Sequence, residues 1–510
     1  MNNALSAPHT HYVCTAGQSQ QMDRSTIEEF GIDGYTLMEV AGSSAAKKLL
    51  DLLPSGSHGV YLCGKGNNAG DALVVARYLI QHGHRGTLVF LSGNDSLSPD
   101  TEKNYSLLTE IADKDDTAAG LRVYESWDDF EPEQLPPFSF IVDGMLGTGL
   151  DSDLRGDYTK AVSWANASGL PIYAIDIPTG LHSDTGAVMG EAVRATETFT
   201  FGSLKLGFYL DNGYQYSGKV TLCELPFPNF LKSCNTFLLD RDWLPEPGYK
   251  PAKHKYDAGV LYIIAGSEGL TGAAIMAARS AWAEGIGAVI VICPRGILQV
   301  FENNLPQIIK KPVGTTGDYH LKPEHLDDIL DIIKDKEGHV LFGPGIGRTP
   351  ETIEFSTAFM KEYEGPLLID ADALWSLARR KNWSKPPGAT WILTPHPGEL
   401  SRLIPDLGNS PAERLEAVRD TSIEKDIILV SKGFPTMIGT PTGDCFLTGY
   451  DTRIFARAGC GDVLAGKIGA YWAMGAPASK SAALALLNGY DSIQSNDVNN
   501  QRLPEPNDLI

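Results

Sequence analysis

The chain has 510 residues, enough for two or more domains, and its 43% hydrophobic and 21% charged residues are ordinary for a folded soluble protein. Its 42 basic and 63 acidic residues give a formal charge of -21, which argues against a nucleic-acid binder built on a basic face; the acidity reads as solubility and self-repulsion. The 7 cysteines are scattered, odd in number and without a CxxC pair, which argues against a zinc site or a disulfide framework and fits a reducing compartment.

Residues 1–18 show no basic n-region and no apolar h-region, and no apolar run approaches the ~18 residues of a membrane helix. A cytoplasmic protein with no membrane and no nucleic-acid partner is expected.

In chain order, residues 24–53 have helical character, with Leu37, Met38, Ala41, Ala45 and Leu49 spaced to share a face. Strands are predicted at 59–63, 87–91, 138–142, 171–177, 196–201 and 219–225, with helices at 71–82 and 157–167. Strands alternating with helices imply a mostly parallel sheet covered on both faces. Residues 225–255, with Pro226, Pro228, Pro245, Pro247 and Pro251, lose periodicity and read as a linker. A second series follows. Its strands are predicted at 260–265, 288–293, 339–342, 366–370, 390–394 and 427–431, with a hairpin at 437–446. Its helices are predicted at 273–284, 461–474 and 479–492. The two series share no motif, so a fusion is predicted, with domains at 1–232 and 233–510.

Gly64-Lys65-Gly66-Asn67-Asn68-Ala69-Gly70-Asp71 reads as a loop between a strand and a helix, suited to an anion at the helix start. Its glycine spacing is not that of the GxGxxG fingerprint. Asp143 to Gly149 follows one strand and Asp176-Ile177-Pro178-Thr179-Gly180 another, at the crevice where open α/β sheets bind ligands. Asn68, Asp143 and Thr179 offer hard oxygen ligands for a monovalent or divalent cation. Taken singly, Asp143 and Asp176 each read more readily as turn caps.

Together these stretches resemble the NAD(P)H-hydrate epimerase family over about residues 12–225, whose loop normally reads NNGGDG. The resemblance implies a Rossmann-like three-layer domain. It implies hydrate binding by Asn67, Asn68, Ala69, Gly70 and Asp71, by the run Gly147, Thr148, Gly149, Leu150, Asp151, Ser152 and Asp153, and by Asp176. It implies potassium held by Asn68, Asp143 and Thr179. Ala69 and Ala72 replace family glycines; where a position needs positive φ, alanine costs on the order of 1 kcal/mol.

In the second half, His254-Lys255 precedes a strand leading to the loop 266–272, and Gly343-Pro344-Gly345-Ile346-Gly347 follows a later strand. Asp370-Ala371-Asp372, Thr394-Pro395-His396-Pro397-Gly398-Glu399 and Lys432-Gly433-Phe434-Pro435-Thr436 follow three more. A lone histidine is more often structural; between two prolines, His396 is as readily a ligand contact. Asp462, in Ala458-Gly459-Cys460-Gly461-Asp462-Val463-Leu464-Ala465-Gly466, opens a helix whose N–H groups can hold a phosphoryl group.

This ordered set resembles the ADP-dependent NAD(P)H-hydrate dehydratase family, of ribokinase-like α/β fold, over about residues 236–495. The resemblance implies nucleotide binding by Lys432, Gly433, Phe434, Pro435, Thr436 and Gly461. It implies hydrate binding by Ala273, Gly345, His396 and Asp462, with Asp462 as the catalytic base. Tyr256 and Cys460 stand where the family has glycine and threonine.

The whole then implies repair of damaged nicotinamide nucleotides. One half epimerises R and S NADH or NADPH hydrate with potassium; the other dehydrates the S form with ADP as co-substrate and Mg2+, in a homo-oligomer. Two rivals remain at this point: a ribokinase-like vitamin-precursor kinase, and a non-catalytic N-terminal binding module.

Overall fold

The computed structural model describes residues 7–8, 11–114, 120–231, 234–245, 254–495 and 504–510. Two compact units divide the chain, Pro8–Thr236 and Phe237–Ile510, the second taking in Met1–Ala7. The expected boundary at 232 and 233, and Pro247 and Pro251 of the expected linker, lie outside the described residues. Among the described residues no helix is long and apolar enough to cross a membrane.

Among the described residues, the main sheet of the first unit has seven strands, β1 His58–Cys63, β2 Arg85–Phe90, β3 Leu121–Tyr124, β4 Phe140–Gly144, β5 Ile172–Ile175, β6 Glu197–Phe201 and β7 Lys219–Cys223, beside a small parallel pair of Val13–Cys14 with Leu204–Lys205. The seven lie side by side in the order 3-2-1-4-5-6-7, all parallel. Side chains of a strand alternate between faces, so a strand buried on both reads as a continuous apolar run. In β1, Tyr61 and Cys63 enter one core with the helices Gly34–Leu52 and Asn67–Gln81. Val60 and Leu62 enter another with the helix Asp157–Ala167. The strand order reverses between β1 and β4, and such a switch point leaves a crevice at the strand ends.

Three features differ from expectation. The helical stretch 24–53 is two helices, Ala16–Glu28 and Gly34–Leu52, broken where Gly31 turns at φ +86°. The expected loop 64–71 is mostly helix: the helix begins at Asn67, four residues before its predicted start. The helix Pro99–Lys114 and strand β3 were not predicted. β3 is an edge strand whose residues are only half-buried or exposed, so it lacks the apolar run of its neighbours.

The second unit holds β8 Thr236–Leu239, β9 Val260–Ile264, β10 Ala288–Pro294, β11 Ile309–Val313, β12 His339–Phe342, β13 Leu367–Ile369, β14 Trp391–Leu393, β15 Ile428–Ser431, β16 Met437–Gly439 and β17 Cys445–Thr448. The order is 8-17-16-15-14-13-12-9-10-11. From β15 to β11 every pair is parallel; β15, β16 and β17 form the antiparallel hairpin. β8 and β11 were not predicted.

The helix Cys460–Ala473 lies against the helix Thr271–Ala283. Their closeness depends on Gly466, where an added Cβ would come within 2.2 Å of Ala277 O and 2.1 Å of Ser280 Oγ.

Because Ala69 and Ala72 are buried helical residues and neither has positive φ, alanine fits both positions. In a helix interior glycine is less favourable than alanine by about 1 kcal/mol. The double change Ala69→Gly with Ala72→Gly is therefore expected to lower stability by roughly 2 kcal/mol. Denaturant titration of the N-terminal unit's transition checks this; an unchanged or higher midpoint contradicts it.

Candidate functional site

At the first switch point, the β1 and β4 loops run so close that only glycine fits position 64. A Cβ there would lie 2.0 Å from Met145 O. Asn68, on the first turn of its helix, is 9% exposed, and neither its carboxamide oxygen nor its nitrogen has a hydrogen-bond partner. Gly147 faces it, with an ideal Cβ 3.6 Å from Asn68 Oδ1. Asp143 ends β4 fully buried. Its carboxylate accepts bonds from Thr179 N at 2.8 Å, Thr179 Oγ1 at 2.7 Å and Met145 N at 3.3 Å. Burial pushes it up to about 6, against the pull of those donors. The structure thus brings Asn68, Asp143 and Thr179 into one neighbourhood; the turn-capping role of Asp143 is real alongside it.

Asp176 takes a left-handed conformation, φ +63°, and pairs with Lys205 at 2.9 Å. Lys205 is 2% exposed and also donates to Phe201 O and Ser203 O. Asp71 faces Asp176 and Asp23; burial first, then those two carboxylates, holds it well above the usual carboxylate range. Gly70 is a packing glycine, where a Cβ would press Met38 and Thr101. Asn67 is exposed and accepts a bond from Ser98 Oγ. Of the run after β4, Thr148 and Leu150 are half-buried, whereas Gly149, Asp151, Ser152 and Asp153 are exposed.

Sequence reasoning missed Asp23 and Lys205. Asp23 shares the buried face of its helix with Ser19, Met22 and Thr26, a spacing that could have shown it. Lys205 sits within Leu204-Lys205-Leu206, where a lysine flanked by apolar residues was the available signal.

In the second unit a cavity of about 590 Å³ opens at the ends of β13, β14 and β15, within the range that holds small-molecule ligands. His396, Lys432, Gly433, Phe434, Thr436, Gly461 and Asp462 line it; Ala273, Gly345 and Pro435 do not. Gly345 lies after β12 and Ala273 after β9, at the same strand-end edge of the sheet. Gly345 is confined by Leu270 O, which an added Cβ would meet at 2.3 Å, and its carbonyl accepts from Ser267 Oγ.

Lys432 carries the electrostatics. Its Nζ is 2.8 Å from Asp370 Oδ1, and lies 3.3 Å from where a Gly461 methyl would be, at the start of the helix Cys460–Ala473. Burial opposes its charge, yet Asp370 and Glu399 hold it above its ordinary range. Asp462 stands on the first turn of that helix. Burial, with Asp370 next, pushes it up to about 7 while Lys432 pulls the other way. Glu399 is likewise raised by burial, to about 6.

His396 is the N-cap of the helix Pro397–Leu403: its Nδ1 accepts from Gly398 N and its own N–H is held by Glu399. Partial burial and Lys432 hold it below its usual range, so the neutral ring carries its hydrogen on Nε2. His396 thus has a structural role as cap and also lines the cavity.

Arg414, unremarked in the sequence, shapes the loop 432–436. It is buried, and its guanidinium donates to Lys432 O at 3.3 Å, Phe434 O at 2.9 Å and Pro435 O at 2.6 Å. Gly433, at φ +132°, leaves room for it.

A family profile described as YjeF-related protein N-terminus matches residues 34–207, and one described as NAD(P)H-hydrate dehydratase matches residues 261–504. The bifunctional NAD(P)H-hydrate repair enzyme of Salinibacter ruber is 37% identical over 492 residues, covering 93% of this chain and 90% of its own length. That of Thermofilum pendens is 31% identical, covering 91% and 88%; that of Moorella thermoacetica is 30% identical, covering 98% and 95%. A solved ribokinase-like superfamily protein of Enterococcus faecalis is 22% identical, covering 54% of this chain and 93% of its own, with a TM-score of 0.45.

Arg414→Lys cannot serve three carbonyls with a planar fork of donors. A buried acceptor left without its partner costs about 1–3 kcal/mol. The expected result is a lower melting temperature together with adenine nucleotide binding weakened at least several-fold, measured by calorimetry on the purified chain. Unchanged binding removes Arg414 from the loop's support.

Proposed function

This chain belongs to the bifunctional NAD(P)H-hydrate repair enzymes, and on that premise we propose that its first unit interconverts the R and S hydrates of NADH and NADPH while its second dehydrates the S form with ADP. The whole-length relatives favour this over a vitamin-precursor kinase carrying a silent N-terminal module.

The observation that carries the second activity is the set Asp370, Lys432 and Asp462 at a helix start beside a cavity. Hydroxide is a poor leaving group, so the hydrate's C6 hydroxyl must first be converted. Asp462 takes its proton as the oxygen attacks the terminal phosphorus of ADP, and AMP departs. Lys432, fixed by Asp370, and the N–H group of Gly461 meet the phosphoryl group in flight, the Cys460 N–H being donated to Arg457 O. Phosphate then leaves C6 and a proton leaves C5, restoring the dihydropyridine. Gly433, Phe434, Pro435 and Thr436 bear on the nucleotide, and Ala273, Gly345 and His396 on the hydrate. Mg2+ bound with the nucleotide supplies charge neutralisation at its phosphates.

In the first unit, the crevice at the β1–β4 switch takes the hydrate. Asn67 to Asp71, the run from Gly147 to Asp153, and Asp176 bear on it. The orphaned, nine-tenths buried Asn68 carboxamide, facing Gly147 in the stretch that follows Asp143, fits a hard monovalent cation. Asn68, Asp143 and Thr179 would hold potassium, which supplies local positive charge near the hydrate's phosphates.

Incubation with both hydrate epimers and ADP tests the two activities together: full recovery of dihydropyridine absorbance requires both, and recovery of the S fraction alone at the enzyme-free epimerisation rate leaves only the dehydratase. Asp462→Asn is expected to slow dehydration about 10²–10⁴-fold with nucleotide binding kept. Because a raised carboxyl is protonated below its pKa, wild-type kcat/KM for dehydration should fall as pH drops through about 7, and that limb should vanish in Asp462→Asn. Near-normal turnover of the variant removes Asp462 from the mechanism.

Asn68→Ala and Asp143→Ala should abolish potassium dependence of epimerisation. An equal wild-type rate in potassium and in a bulky organic cation sinks the cation site.

A further inference from the structure

The crevice of the first unit gathers three carboxylates around one lysine. Asp71 comes from the helix Asn67–Gln81 and Asp176 from the turn after β5. Asp23 comes from the helix Ala16–Glu28, which precedes the segment matched by the family profile. That helix is fastened over the site: Ala16 N donates to Asp184 Oδ1 at 2.6 Å, and Ser19 and Ser203 share a buried hydrogen bond at 3.0 Å. One turn after Ser19, Asp23 faces Asp176 and Lys205. Lys205 has its ammonium fixed by Asp176 Oδ1, Phe201 O and Ser203 O. Asp176 Oδ1 also accepts from Thr200 Oγ1. The Cys14 thiol also lies within electrostatic reach of Lys205. The Asn68 carboxamide, nine-tenths buried and without partners on the first turn of Asp71's own helix, independently marks the crevice as a place for a ligand.

We propose that Asp23 and Lys205 are positioning residues of the epimerisation, which together set how firmly the Asp71 carboxyl keeps its proton. One ammonium cannot neutralise three carboxylates in a buried cluster, so one carboxyl keeps its proton. Asp71 is the group so held, and Asp23 is raised by burial to about 6.

Epimerisation needs a group that both gives and retakes a proton. The Asp71 carboxyl gives its proton to the C6 hydroxyl oxygen, the C6–O bond breaks, and water leaves. The N1 lone pair closes a C6=N1 bond, and the new carboxylate balances the cation. Water then adds to the opposite face of C6 and returns one proton to the carboxylate cluster. Lys205 acts through Asp176, which it anchors; Asp23 acts through Asp71, whose proton its charge retains.

This inference rests on the epimerase reading above. The test follows interconversion of separated hydrate epimers by the full chain without ADP, as a function of pH, with the enzyme-free rate subtracted. A proton donor gives an alkaline limb in kcat/KM. Asp23→Asn removes a like charge and lowers the pKa of Asp71, so the limb should move to lower pH by on the order of one unit. Lys205→Met removes the opposing cation, so its limb should move to higher pH. Asp23→Glu and Lys205→Arg, which keep the charges, should keep the wild-type limb. Limbs that stay in place, or shift in the same direction, overturn the proposal even if rates fall. Should Lys205→Met not fold, the Asp23→Asn limb decides alone. A wild-type chain that does not speed interconversion sinks the epimerase reading itself and this proposal with it.

Discussion

Both units depend on one constraint. A parallel sheet buried on both faces has little room for charged side chains in the middle of its strands, so the groups that do chemistry collect where the strands end. Asp143 lies at the end of β4 and Asp176 follows β5, and Asp370, His396 and Lys432 follow β13, β14 and β15. Helix starts enter the same edge and bring unsatisfied N–H groups with them. The two sites therefore sit at equivalent edges of two different sheets, although no sequence motif is shared between them.

The two sites also handle charge alike. Each sets a single lysine among several carboxylates: Lys205 among Asp176, Asp71 and Asp23, and Lys432 among Asp370, Glu399 and Asp462. In each, one acid pairs with the ammonium at under 3 Å while another is driven upward by burial. Separation of neighbouring acids into one ionised and one proton-bearing group is how a site runs proton transfer near neutral pH. The first site reaches it through a lysine pinned by backbone carbonyls, the second through a lysine at a helix start.

Much of this was legible before the fold was seen. Apolar runs gave most strands to within one or two residues, and the glycine-rich turns after them placed Asp143, Asp176, His396, Lys432 and Asp462 at the correct edge. Pattern reading failed where local sequence carries little signal. Strand β3 is a half-exposed edge, and Asn67 to Asp71 looked like loop because glycine and asparagine are poor helix formers taken singly. Asp23, Lys205 and Arg414 escaped for another reason. Helix spacing and an apolar flank could mark Asp23 and Lys205 as buried, but not their partners: Asp23 bears on Asp71 and Asp176, 48 and 153 positions away, Lys205 on Asp176, 29 away, and Arg414 on carbonyls about 20 away.

The glycines of the first motif are not equivalent. At Gly64 and Gly144 a methyl group would strike Met145 O at 2.0 Å and Ala72 Cβ at 2.4 Å, and at Gly70 it would press Met38 and Thr101. Ala69 and Ala72, by contrast, are ordinary helical residues packed in a core. At those two places the backbone does not demand glycine, and alanine adds helix propensity. A search pattern that insists on glycine there would pass this chain over.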